Sequence, residues 1–463
     1  MSQLMAGFAR VNITPPLGTY ISGYFIDRYA TGVLDELEAN CAAFSCDGKK
    51  LVLITVDHVG IYREAMEEFI REICDRTGLP EAAVFIHVTH THTSGPFFEP
   101  DTKDEKILHY RRVLRYKLAD AAEMALRDLK PAKMATAHGE APGIAFIRRY
   151  VMKDGSIKTN PGVNNPEIDH PVGETDNEVT MLRFDREGAE TLVLVNFGCH
   201  PDTIGGTKLS ADWPGFVRRT VETAIENTRC LMFNGAQGDV NHVNVHPGPG
   251  YMNGDMIIDF DGVARGYSHA RYMGRVIAAA VMQIYDKAEY EDAASIGYAK
   301  EELAVPSNMP SPEELPAARY IHEMHLAGRD DELPYKEMEL TTMVAEAGRM
   351  IRLEHGPEIF SMPLTAVRIG SAGLFGVPGE PFNGVGRGLK KAKGYRAVLP
   401  CINTNAKEGY FPLKECYEQG GYEARSSRYK AGAAELIIEN GCRMLEGLLS
   451  DDTEIFNKGD RKV

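Results

Sequence analysis

The chain of 463 residues has no Cys-x-x-Cys pair, no apolar run approaching a membrane span, no surplus of basic residues and only one tryptophan. Its eight cysteines, at 41, 46, 74, 199, 230, 401, 416 and 442, are scattered, several inside apolar stretches such as Asn196-Phe197-Gly198-Cys199, and read as buried free thiols. The first residues, Met1-Ser2-Gln3-Leu4-Met5-Ala6-Gly7-Phe8, lack the basic region and apolar core of a leader peptide, so a cytoplasmic location with no transmembrane segment is expected. With 51 basic against 66 acidic residues the net charge is −15, spread along the chain. That excludes the basic footprint of a nucleic-acid binder and fits a well-solvated surface. No repeat is visible. The glycine-rich turn Asn234-Gly235-Ala236-Gln237-Gly238-Asp239-Val240-Asn241 is not followed by Lys-Ser or Lys-Thr and lacks dinucleotide spacing, which excludes a phosphate loop.

What is present is an alternation of apolar or β-branched runs with longer helical patterns, which predicts an α/β fold with mixed sheets flanked by helices. By length, two or three domains or one elaborate unit are possible. Strands are expected over 8–13, 39–46, 51–56, 84–89, 134–138, 179–184, 192–197 and 230–233; helices over 63–76, 104–129, 214–226, 264–285 and 431–448. Between 301 and 349 the chain turns charged and helix-prone, with Pro306, Pro310, Pro312 and Pro316 near its start. Strand character returns over 364–377, so the segment reads as a charged helical insertion within one domain: either a cap over a site or a peripheral helical pair.

The densest chemistry is His90-Thr91-His92, at the end of the run Val84-Phe85-Ile86-His87-Val88-Thr89. In an extended strand His90 and His92 would share one face, with His87 and Thr91 on the other. The pair is either a wet loop, the start of a metal site, or one ligand beside a general base. His200 ends a second apolar run, and Glu380 follows a third at Leu374-Phe375-Gly376-Val377-Pro378-Gly379. Two imidazoles and a carboxylate form a common catalytic zinc set with a position left for water. Asp212 and Trp213, in Ser210-Ala211-Asp212-Trp213-Pro214-Gly215, read as a packed helix cap. His242, Asn244 and His246 alternate and would line one face of an extended segment, where a histidine could touch substrate or a second metal. The loop from Pro247 to Asp255 reads as a polar rim suited to a small polar amide.

These motifs, with Asn12-Ile13-Thr14-Pro15-Pro16, Asn196-Phe197-Gly198-Cys199-His200-Pro201, Gly238-Asp239-Val240, Pro378-Gly379-Glu380, and Gly409-Tyr410 followed by Tyr422, resemble the neutral, non-lysosomal ceramidases over about residues 7–423. The resemblance is to that family's N-terminal catalytic domain. It implies one zinc per chain, held by His90, His200, Glu380 and Tyr410. It implies His92 as general acid/base, Tyr422 beside the substrate carbonyl, and Arg148, preferred over Arg149, on substrate or oxyanion. Two departures matter. Asn241 and His242 stand where the family has Ser-Pro, which makes Asn241 a candidate for altered specificity. The chain is also expected to form a single catalytic domain, 1–463, without the family's immunoglobulin-like domain. The expected activity is zinc-dependent hydrolysis of a linear N-acyl amide in a small-molecule or lipid substrate. An ester hydrolase and a silent metal-containing binding protein are the alternatives.

Overall fold

Continuous apolar runs make strands that are covered on both faces. Val84–Val88 is buried at every position, and Thr191–Phe197 and Thr228–Asn234 at all but one each. The computed structural model of the chain describes residues 3–99, 101–251, 253–291 and 295–459. Within Thr191–Phe197 the period of two sends Leu192 and Leu194 into one apolar core and Val193 and Val195 into another.

These strands belong to a nine-stranded mixed sheet. Its order runs Thr228–Asn234, Thr191–Phe197, Glu178–Arg186, Lys130–Glu140, Met5–Asn12, Glu38–Cys46, Lys49–Val56, Val84–Val88, with Glu289–Tyr290 joining beside Lys130–Glu140. Neighbours along this path are antiparallel except at its two ends, where Thr191–Phe197 pairs parallel with Thr228–Asn234 and Lys49–Val56 with Val84–Val88. Helices Arg63–Thr77 and Glu105–Arg127 press Met66, Phe69, Leu114 and Leu118 into the first core. Asp212–Ala224 and Tyr267–Tyr285 press Trp213, Val217, Met273 and Ile277 into the second. The predicted α/β class, with mixed sheets flanked by helices, is the observed one.

A second sheet of four strands runs Ile296–Pro306, Ile359–Ile369, Ala372–Gly376, Ala397–Cys401, its last pair parallel. Here the charge pattern misled. Residues 301–306 are not helical but continue an 11-residue strand paired in register from Ile296↔Ile369 to Pro306↔Ile359. A long ladder outweighs the weak helix preference of Lys300, Glu301 and Glu302. The helical part is confined to Leu315–Leu326 and Glu337–Leu353, which pack together through Ala318, Ile321, Val344 and Ala347 and connect two neighbouring strands.

The two sheets are joined where residues 402–405 cross the end of Val84–Val88. The Asn405 N–H donates to the Ile86 carbonyl (2.9 Å), while its side chain accepts from the Ile86 N–H (2.9 Å) and donates to the Val84 carbonyl (3.0 Å). Asn403 and Asn405 make the crossing with φ of 41° and 58°, a region asparagine tolerates better than most residues. All eight cysteines are free, and no helix among the described residues is long and apolar enough to cross a membrane.

Candidate metal centre

Parallel strand pairs deliver their loops to the same end, and here three such pairs converge. Val84–Val88 leads to His90 and His92, Thr191–Phe197 to His200, and Ala372–Gly376 to Glu380. The strand stops at Val88, so His90 and His92 do not converge by strand alternation as predicted. His90 has a φ of 75°, an uncommon conformation for a non-glycine residue, and this turn brings the two Nε2 atoms to 3.3 Å. His87 takes no part. Its Nδ1 lies 2.8 Å from the Ile402 carbonyl and its Nε2 accepts from the Asn234 N–H (2.9 Å), a fully satisfied core imidazole.

His90, His92 and His200 are buried, with ligand atoms all within 4.8 Å of one another. His90 Nδ1 is held by the Val59 carbonyl and His200 Nδ1 by the Gln237 carbonyl (3.3 Å). Both rings therefore turn Nε2 toward a single oxygen, Glu380 Oε2, at 3.1 Å and 3.5 Å. Burial, reinforced by the Arg148 charge, pushes the His200 imidazole well below its usual range; burial brings His92 down to about 3. The Glu380 carboxylate is itself buried between the His90 and His200 rings. Its Oε2 is buried without a hydrogen-bond partner. A buried carboxylate oxygen facing imidazole lone pairs calls for a cation, and the donor set of nitrogen and oxygen fits a zinc-class ion.

Close backbone approach fixes Glu380. A Cβ on Gly238 would lie 2.5 Å from the Glu380 carbonyl oxygen, and one on Gly379 would collide with that of Gly409. Glu380 also pairs in parallel with Tyr410, whose ring stacks on His200 with centroids 6.4 Å apart. Tyr422 meets Tyr410 edge-on at 5.6 Å. Burial, then the Glu380 charge, raises both phenols, keeping them protonated.

Of the two candidate arginines, Arg148 faces the cluster, its guanidinium 5.5 Å from the Tyr410 ring centroid. Arg149 turns away to the Gly420 carbonyl (2.9 Å) and the Phe382 ring. Arg148 is clamped by two groups: its Nε donates to Glu423 Oε1 (2.6 Å) and its Nη2 to the Gly238 carbonyl (2.7 Å). Burial works against its charge, yet Tyr410 and Glu423 raise the group above its usual range.

Sequence reasoning missed Glu423 and Asp202. Glu423 is fully buried beside Tyr422 and also accepts from Thr159 (3.0 Å); nothing local marks it. Asp202 Oδ1 lies 3.8 Å from His92 Nδ1 and is braced by Arg265 (2.6 Å) and Tyr24. An acid two residues after His200 was a readable signal.

Asn241 is buried, but its amide is engaged within the chain: Nδ2 donates to Asn160 Oδ1 (2.9 Å) and Oδ1 accepts from the Val243 N–H (3.0 Å). His242 and His246 do not share a face. The strand is only Val240–Asn241, after which His242 is buried against the Ala264 carbonyl (2.8 Å) and His246 is exposed. Among the described residues the one group of three or more such side chains placed to hold a metal is that of His90, His92 and His200; His242 and His246 are not part of one. Asp212 is structural, accepting from the N–H groups of Thr203 (3.0 Å), Ile204 (2.9 Å) and Trp213 (2.6 Å).

The mixed-sheet α/β scaffold is a ceramidase-like fold. The neutral ceramidase from Pseudomonas aeruginosa superposes with a TM-score of 0.70 at 16% identity, over 97% of this chain and 75% of that one. A ceramidase complexed with C2 gives 0.71 at 16% identity, over 97% and 76%. At that identity the likeness is one of fold. No protein-family model matches the sequence, and no curated protein does.

Proposed function

We propose that the protein is a zinc-dependent hydrolase of a linear N-acyl amide bond. The observation that carries this reading is Glu380 Oε2, buried without a hydrogen-bond partner and faced by the Nε2 atoms of two carbonyl-anchored imidazoles. His90, His200, Glu380 and Tyr410 would hold one zinc. Bound there, it would lower the pKa of a water toward ~7 and polarise an acyl carbonyl.

The chain's own groups supply the rest. His92 is neutral and has its Nε2 toward the cluster, so it can take a proton there and return it to the leaving amine nitrogen. Asp202 behind Nδ1 favours the imidazolium that forms in between. The protonated Tyr422 phenol can donate to the developing oxyanion. Arg148, with Nε and Nη2 engaged by Glu423 and Gly238, acts by fixing Tyr410. Asn241 supports the wall through Asn160.

Metal analysis of purified protein, paired with amine release from fluorogenic ceramide, short N-acyl amino acids and N-acetyl sugars, tests the proposal. The expected result is about one zinc per chain and zinc-dependent turnover of at least one amide. Zinc-loaded protein that cleaves esters but no amide favours the ester alternative; zinc with no turnover at all favours the binding protein.

A further inference from the structure

Two cations at the mouth of the cluster have no assigned partner. Lys407 Nζ sits 4.6 Å from the Phe97 ring centroid and 5.3 Å from that of Tyr62, and these two rings are 5.4 Å apart. Its carbon chain lies on Gly60, where a Cβ would collide with it; the preceding residue, Val59, is the carbonyl that anchors His90. Arg352 comes from the inserted helix Glu337–Leu353, its guanidinium folded back beside Gly348. That helix is fastened to the short helix Tyr422–Ser426 by Glu346 with Arg425 (3.0 Å) and by Arg349 Nε on the Arg425 carbonyl (2.8 Å).

Arg352 is exposed, and its charge interacts with Tyr62, Arg428, Glu99 and Tyr422, so it faces the same mouth as Lys407. Neither Lys407 nor Arg352 forms an ion pair among the described residues. In a chain with 15 more acidic than basic groups, two cations outside any ion pair beside the buried histidine cluster stand out. Arg428 is neutralised by Glu408, Glu99 and Asp101 lie at the same mouth, and Lys407 also feels the Glu380 charge, but none of these acids closes an ion pair with Lys407 or Arg352. Phe25, exposed, meets Tyr422 edge-on at 6.5 Å and continues the aromatic lining.

We propose that Lys407 and Arg352 recognise an anionic group on the substrate, so that the amide cleaved is an N-acyl compound bearing a carboxylate or phosphate close to the scissile bond. The anion sits between the two cations, and Phe97, Tyr62 and Phe25 cover the adjoining apolar part. The inference rests on the amide-hydrolase reading only in setting the scissile bond at the histidine cluster. It also gives the inserted helices a role: they bring Arg352 to the mouth.

The test measures binding by calorimetry to zinc-loaded full-length His92→Ala, with N-lauroylglycine, N-lauroyl-2-aminoethyl phosphate and neutral N-lauroylethanolamine as probes. The expected result is about tenfold tighter binding of at least one anionic probe than of the neutral one. Whichever probe is tighter identifies carboxylate or phosphate. Adding Arg352→Gln and Lys407→Met should bring the anionic probe down to the neutral one, while Arg352→Lys alone should keep most of the preference and serve as the folding control. Equal binding of all three probes, or a preference that survives the double substitution, overturns the proposal. Wild-type turnover of the same probes is read separately. Anion-selective binding without turnover rejects the hydrolase and keeps the anion site; turnover without anion selectivity does the reverse.

Discussion

Glu423 offers a sharp test of how the site is held. Its side chain is fully buried and its Oε1 lies 2.6 Å from Arg148 Nε, itself nearly buried. Glu423→Ala leaves the guanidinium without its paired carboxylate in a dry environment, and breaking a buried pair from one side costs about 3–5 kcal/mol. Replacing both partners by apolar residues, Arg148→Met with Glu423→Leu, removes the desolvation penalty along with the attraction and should recover most of that loss. The coupling between the two positions is therefore expected to be at least about 2 kcal/mol, read from urea unfolding of the wild type, both single variants and the double variant. Activity should behave differently. The double variant folds but has lost the group over Tyr410, so turnover stays low where stability returns. A Glu423→Ala protein within about 1 kcal/mol of wild type, or a double variant as unstable as the sum of its singles, would refute the claim that this pair is a closed buried unit.

Three further outcomes are expected. His90→Ala combined with His200→Ala should remove bound zinc, measured by elemental analysis, and full retention would disprove the assigned ligand set. His92→Ala should keep zinc and lose at least about a hundredfold in turnover; loss of zinc instead would make His92, whose Nε2 lies 3.3 Å from that of His90, a third imidazole ligand. Burial pushes His87 down to about 3, so above the unfolded value of ~6.5 both states are neutral, and below it only the unfolded chain takes a proton. Its contribution falls by about 1.4 kcal/mol per pH unit from there down to the folded value. Urea midpoints at pH 7 and pH 5 should converge in His87→Gln relative to wild type, and an unchanged slope would show that His87 titrates freely when folded.

Much of the architecture was legible because it rests on local pattern. The runs around Val84, Leu192 and Leu231 are too apolar to be anything but strands covered on both faces, and the periodic segments after Arg63, Glu105 and Tyr267 are helices within a few residues of the expected limits. The segment after Glu301 was misread because charge favours helix only until a long strand pairing competes with it. The alternation of His242, Asn244 and His246 misled for a related reason. Alternation says nothing once a strand ends after two residues.

The sequence by itself determined which side chains are available and that each stands at the end of an apolar run: His90, His200 and Glu380 after strands, Tyr410 and Tyr422 after glycine turns. Only the tertiary structure decided their relations. It takes the left-handed turn at His90, not strand alternation, to bring the His90 and His92 Nε2 atoms together while aiming His90 at Glu380. It takes the crossing at Asn405 to bring Glu380 and Tyr410, which pair with each other beyond the second sheet, against the histidines after strands of the first. Glu423 carries no local signature, because a buried acid is recognised by the cation opposite it, and Arg148 lies far away along the chain; Asp202 stands two residues after His200, but only the structure sets it behind His92. Hydrophobic periodicity is a property of neighbours in sequence; charge compensation and metal geometry are properties of neighbours in space.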